Sequence, residues 1–231
     1  KTFSALRLAT GLTEDGGEIG VIDTERESAS LYADKFNFKR LNLQNFSPHS
    51  YQKAIQMAEK AGIKVLIIDS LSHAWAGTEG LLERQQKEAE KQKDSFRAWA
   101  KITPEHNDLV DAILQFDGHV IITLRTKTEW EYTKDERTGK LTPQKVGTKA
   151  IFRDGLEYEM TVAFTIDQQN EAQQSKDRTS LFVNRDYFLI TEETGRELIG
   201  WLNTAEPKEV APSQGEDALQ EDQTPETDPD I

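Results

Sequence analysis

The stretch that decides the fold is Val65-Leu66-Ile67-Ile68-Asp69-Ser70, four aliphatic residues running directly into a carboxylate and a hydroxyl. An apolar run this short, preceded by Gly62 and closed by polar residues, predicts a central parallel strand buried on both faces. Its aspartate then lies at the strand's carboxyl end, the edge of an open α/β sheet at which ligands bind. A carboxylate there is placed to hold a Mg2+ ion that bridges nucleotide phosphates. The alternative is a buried strand whose Asp69 only caps a helix or faces water.

The first residues bear on that choice. Lys1-Thr2-Phe3-Ser4-Ala5-Leu6-Arg7-Leu8-Ala9 reads as the end of a P-loop, G-x-x-x-x-G-K-[ST]. In that motif glycine amides and a helix N-terminus cradle the phosphates, the Lys reaches the outer phosphates and the Ser/Thr hydroxyl binds Mg2+. Only the last two positions, Lys1 and Thr2, are present. Ala5, Leu6, Leu8 and Ala9 predict a short amphipathic helix behind them, and Gly11 is placed to stop it. With no initiator Met, the expectation is a fragment cut inside its phosphate-binding loop. Asp69 then reads as a Walker-B aspartate.

Composition sets outer limits. At 231 residues and 36% hydrophobic, the chain is one domain, or one domain with a tail, and long enough to bury a core. The absence of Cys excludes disulfides and thiolate metal sites and fits a reducing compartment. Nothing in the sequence approaches a membrane span. Net charge is −13, but nine acids against one Lys put −8 of it between Thr204 and Ile231, which leaves a body of only −5. That distribution keeps nucleic acid among the partner classes. Residues 205–231 are Pro, Glu, Asp, Gln and Thr with little that is apolar, a disordered acidic tail by composition. The expected division is a core over residues 1–203 and a tail over 204–231.

In chain order, Glu18-Ile-Gly-Val-Ile-Asp23 predicts a second buried strand ending in acid, and Glu25 just beyond it is the candidate that orients an attacking water. The alternative is that Asp23, Glu25 and Glu27 only start a helix through Ala29, Leu31 and Tyr32. Phe38 to Leu43 alternates as a strand does, and Ser47-Pro48 caps a helix with Tyr51, Ala54, Ile55 and Ala58 on one face. Strands and helices therefore alternate as βαβ units, which implies a mainly parallel sheet flanked by helices. Leu81 to Lys101 scans as a polar helix, whose Lys87, Lys91, Lys93, Arg97 and Lys101 form either a phosphate-contacting surface or a solvated face. His73, alone and without metal partners at ligand spacing, reads as structural. Thr103-Pro104 is expected to start a helix. His119-Val-Ile-Ile-Thr123-Leu-Arg125 predicts a third buried strand, with Thr123 or Arg125 where a residue senses the γ-phosphate or simply ends the strand. Thr126 to Val146, around the turn Arg137-Thr-Gly139-Lys140, predicts a β-hairpin that is either a DNA-contacting loop or an ordinary charged-edge hairpin. Tyr158 to Ile166 predicts a strand, and Lys176 and Arg178, at i and i+2 on an extended segment, point the same way, either to reach one phosphate group or as the solvated side of a strand.

Taken together, the P-loop remnant, Val21-Ile-Asp-Thr-Glu25, Leu66-Ile-Ile-Asp69-Ser70 and Lys176-Asp-Arg178 follow the order and rough spacing of RecA-superfamily ATPases. More closely, His73-Ala-Trp75, Ser95-Phe96 with Trp99, Thr103-Pro104, Val110 to Leu114, Arg125-Thr-Lys127-Thr-Glu129, Arg153 to Glu159 and Ser175 to Thr179 resemble a phage-borne, RecA-like AAA-type ATP-binding family. The resemblance spans roughly residues 1 to 200. It implies a RecA-like α/β core using ATP and Mg2+, with Lys1 on phosphate, Thr2 and Asp69 on the metal, Glu25 on water, and Lys176 with Arg178 as fingers reaching a neighbouring subunit's nucleotide. It also implies a homo-oligomer in the bacterial host cytoplasm, acting on single-stranded DNA in recombination or replication beside a single-strand DNA-binding protein. The competing class is a nucleotide-dependent assembly module without DNA-coupled turnover. Two features depart from the pattern: the P-loop glycines are absent, and the strand ending at Thr123 lacks the Asn-Gln pair of RecA itself.

Overall fold

The computed structural model describes residues 1–13, 17–134 and 141–204, with the backbone alone for residues 130–134 and 142–146. Its centre is a four-stranded parallel sheet in the order β2-β1-β3-β4, formed by β1 (Glu18–Asp23), β2 (Lys39–Asn42), β3 (Ile63–Asp69) and β4 (His119–Ile122). The expected central strand is β3, flanked by β1 and β4 in parallel register. Alternation explains why its run is continuously apolar. Val65 and Ile67 pack with Ala5, Leu6 and Ala9 of α1 (Thr2–Leu12) on one face. Leu66 and Ile68 pack with Tyr51 and Ile55 of α2 (Pro48–Lys60) and Leu109 and Ile113 of α5 (Ser95–Leu114) on the other. Each fully buried Leu or Ile contributes about 1.5–3 kcal/mol of transfer free energy, so a polar residue on either face of β3 would be costly.

Ser47 caps α2 by accepting from Ser50 N at 3.3 Å, with Pro48 in the first turn, as the sequence indicates. Gly62, at φ +73°, turns the chain from α2 into β3, a conformation that disfavours any residue with a Cβ.

Several expectations are corrected. Gly11 does not stop α1, which runs on to Leu12; it is the crossing point with α7 (Glu192–Thr204), where a Cβ would lie 1.9 Å from the Glu192 carbonyl oxygen. The segment after Glu25 is a 3-10 turn, Ser28–Tyr32, rather than a helix from Glu25 onward. The polar stretch after Leu81 is two helices, α4 (Leu81–Gln92) and α5, following the short α3 (Ser72–Ala76). Pro104 lies inside α5 rather than at its start, because Asp94 caps the helix earlier, accepting from Phe96 N at 2.9 Å and Arg97 N at 3.1 Å. Buried Ala98 and Ile102 before the proline, and Leu109 and Ile113 after it, hold the helix together across the missing donor. Four of the five cations of this region pair with local acids, Lys87 with Glu79 and Glu83, Lys91 and Lys101 with Glu88, and Arg97 with Asp94, which favours the solvated face.

The predicted hairpin is present as β5 (Thr126–Lys134) and β6 (Leu141–Ala150), antiparallel; its turn, with Arg137, Gly139 and Lys140, lies outside the described residues, as does the acidic tail from 205 on. Tyr158 is not in a strand. Gly155 at φ +106° and the bond from Tyr158 N to Gly155 O at 3.0 Å close a short helix, α6 (Leu156–Glu159), before β7 (Val162–Ile166) begins. β7 joins β8 (Glu171–Asp177) and β9 (Phe188–Leu189) in a separate three-stranded antiparallel sheet. Among the described residues no helix is long and apolar enough to cross a membrane.

Candidate functional site

All four parallel strands end at one edge, and the acids of the sequence reading collect there. Asp23 and Asp69 are register partners at the ends of β1 and β3, and both are buried. Asp69 is 3% exposed, and each carboxylate oxygen receives a hydroxyl: Thr2 donates to Oδ2 at 2.5 Å and Thr123 to Oδ1 at 2.5 Å. Three elements thus converge on one carboxylate. Thr2 arrives there because Leu6 and Ala9 seat α1 on Val65 and Ile67, which aims the positive end of the helix dipole at this edge. Lys1 Nζ donates to the Leu124 carbonyl at 3.1 Å, just beyond β4.

Glu25 is delivered from β1 by a turn that Asp23 organises. Asp23 accepts from Glu25 N at 2.7 Å and from Ala29 N at 3.0 Å, while Arg26 and Glu27 take positive φ. Asp23 thus holds the turn together, and Glu25 faces the end of β3. The Glu25 carboxylate accepts from Ser70 Oγ at 3.1 Å and, in a bidentate pair, from Arg125 Nε at 2.9 Å and Nη2 at 2.5 Å. Burial pushes the Glu25 carboxyl up, but hydrogen bonding and charge from Arg125 outweigh it and hold it below the ordinary range. The fork geometry is favourable and the pair is partly screened, so the interaction is worth about 1 kcal/mol, a restraint that ligand binding can overcome.

Four neighbours complete the site that sequence reasoning left out or set aside. Thr24 accepts from Ser70 N at 2.8 Å and lies 2.7 Å from Nδ1 of His73. His73 stacks on Phe46 at 4.8 Å, and burial, with Arg125 adding, keeps its imidazole below the ordinary value. Ser70 bridges Glu25 to the β3 end, and Arg125, weighed only as a phosphate sensor, is bound to Glu25. The one signal in the sequence was adjacency: Ser70 follows Asp69, and Thr24 precedes Glu25.

Lys176, near the end of β8, and Arg178, just beyond it, share an acceptor, but it lies away from Asp69 and Glu25. Both donate to the Tyr158 carbonyl, Arg178 Nη2 at 2.5 Å, and Lys176 also reaches the Glu157 carbonyl at 2.8 Å. They cap the end of α6 rather than join Asp69 and Glu25.

The Thr2 hydroxyl and the Asp69 carboxylate are hard oxygen donors side by side, which suits Mg2+, an ion that keeps waters and phosphate oxygens in its remaining positions. Among the described residues no group of three His, Asp or Glu side chains would hold a metal by itself, so the ion's other ligands would come from a nucleotide and water. An apolar groove of about 1000 Å3 adjoins the site, between the outer edge of β4 and β7, with Lys1 at its rim.

Against known families, the AAA domain model matches residues 1–194. The chain belongs to this AAA-domain family. No curated protein and no solved structure matches it. As an AAA-domain protein it is of the nucleotide-binding, ATPase class, and its parallel sheet flanked by helices is that of a P-loop nucleotide-binding core. Nucleotide and Mg2+ are the cofactors this class implies, and the Thr2 and Asp69 oxygens in the AAA domain fit them.

Proposed function

We propose that this chain is a RecA-like, Mg2+-dependent ATPase of phage origin that works as a homo-oligomer on single-stranded DNA, in recombination or replication within the bacterial host cytoplasm. The observation that carries the reading is the convergence of Thr2, Asp69 and Thr123 at the carboxyl edge of the sheet, with Glu25 one residue's reach away through Ser70. In it, Lys1 binds the outer phosphates, Thr2 and Asp69 hold Mg2+, and Thr123 fixes the Asp69 carboxylate and senses the terminal phosphate. Glu25 orients the attacking water and accepts its proton. Bound Mg2+ neutralises the charge that develops on the phosphates.

Lys176 and Arg178 are assigned to the nucleotide of an adjacent subunit, which accounts for their distance from the chain's own Glu25 in the hydrogen-bond network. The exposed base of the hairpin, where Lys127 lies, is assigned to single-stranded DNA, beside a single-strand DNA-binding protein. The test is ATP turnover by the protein of the full reading frame, with and without single-stranded DNA. Turnover that DNA accelerates and Glu25→Gln abolishes supports the reading. ATP binding without any response to DNA would favour the assembly module instead.

A further inference from the structure

We infer that Arg125 is a positioning residue that restrains Glu25 in the resting state and ties its release to the root of the β5–β6 hairpin. The inference rests on Glu25 being the residue that activates water. Its geometric basis is the double attachment of Arg125. The backbone of Arg125 is the hairpin's root: its carbonyl accepts from Ile151 N at 2.8 Å, and the ladder begins at the next pair, Thr126 with Ala150. Its N–H donates to Ser72 Oγ at 2.9 Å on α3, which anchors the root against the segment that follows Asp69. Its side chain forks onto both oxygens of Glu25. One residue therefore connects the hairpin, the end of β3 and the candidate base.

With Nε and Ser70 Oγ on Oε1 and Nη2 on Oε2, the Glu25 carboxylate has donors on both oxygens and a guanidinium charge in contact with it. A carboxylate held in this way is a poor proton acceptor, since the ion pair must be given up before a water can be deprotonated. Arg125 is about half exposed, so the pair breaks without exposing core. A shift of the hairpin root, to which the Arg125 backbone is bonded, withdraws the fork. A ligand that binds the hairpin thereby gains a direct route to Glu25, of the size usual for coupling between two sites, roughly 5- to 150-fold.

The test compares wild type, Arg125→Gln and Arg125→Lys in the full-length protein. It measures kcat and KM for ATP alone and then with a thymidine homopolymer as probe. Arg125→Gln is expected to raise the basal kcat roughly tenfold with KM unchanged, and to bring the ratio of stimulated to basal rate close to one. Arg125→Lys, which keeps the charge but loses the fork, is expected to fall between. A lower basal kcat in Arg125→Gln overturns the inference and makes Arg125 a brace that Glu25 needs. A raised basal rate with full stimulation retained overturns the hairpin link. A wild type indifferent to the homopolymer contradicts the DNA reading alone, because the restraint is judged on basal rates. If Glu25→Gln turns over as wild type does, the role of Glu25 fails first and the inference with it. Thermal melting of both variants is expected to fall by no more than about 2–4 °C, the loss of one partly exposed ion pair.

Discussion

Both oxygens of Asp69 are occupied by hydroxyls in a site almost closed to water, so its partners matter to stability as well as to ligand binding. Thr123→Val leaves one buried oxygen without its donor and is expected to lower stability by about 1–3 kcal/mol in urea unfolding, with Thr123→Ser close to wild type. An unchanged midpoint for the Val variant would mean that water replaces the hydroxyl. Glu25→Gln keeps the shape and the Ser70 contact but removes the base; kcat is expected to fall roughly 10²- to 10⁴-fold while ATP affinity holds. At this scale the sequence was legible where a motif joins residue type to position. Lys1, Thr2, Asp69 and Glu25 stood out as candidates for that reason, and Thr2 and Asp69 do meet. The pairings of Arg125 with Glu25 and of His73 with Thr24 had no such signal, because they act across long sequence separations, Arg125 on Glu25 a hundred residues away, and no spacing rule brings such pairs together.

Among the elements, α1 is clasped by α7. Gly11 and Gly195 face each other at the crossing, and Arg7 of α1 makes a bidentate pair with Glu192 of α7, with Nη2 at 2.7 Å. The backbones approach so closely that a methyl group at either glycine meets main chain rather than a movable side chain. Gly11→Ala is therefore expected to destabilise by about 1–3 kcal/mol despite the better helix propensity of Ala, as the calorimetric midpoint will report. A midpoint at or above that of wild type would show that the helices separate at little cost. The strands β1 and β3 and the helix α2 were legible because each has a buried, periodic face. Gly11 was read as a helix stop and Pro104 as a helix start, since local rules see a residue's preference but not the packing that overrides it. The α7 clasp has no local signal at all, because what it needs is the partner's surface.

For the molecule as a whole, acid sensitivity follows from three histidines. Burial holds His73, His106 and His119 below the ordinary imidazole value of about 6.5. Below that value the unfolded chain binds more protons than the folded one, so stability is complete above about pH 6.5 and declines as pH falls. The Glu25 carboxyl, also held low, adds a loss only below about pH 4.5. A melting midpoint that rises, or stays level, from about pH 7 to about pH 5.5 would refute this. If Arg178 serves a neighbouring subunit, mixing Glu25→Gln with Arg178→Ala should restore turnover that neither has alone, because mixed assemblies contain sites with both residues intact; mixtures as inactive as their parts would place Arg178 outside the active site. The central claim is that the carboxyl edge at Asp69 is a Mg2+-nucleotide site. Equilibrium titration of the full-length wild type and Asp69→Asn with a fluorescent ATP analogue, with and without Mg2+, tests it most directly. The account predicts Mg2+-dependent binding that weakens at least about tenfold in Asp69→Asn. Equal affinity in the two proteins, or affinity indifferent to Mg2+, would contradict it.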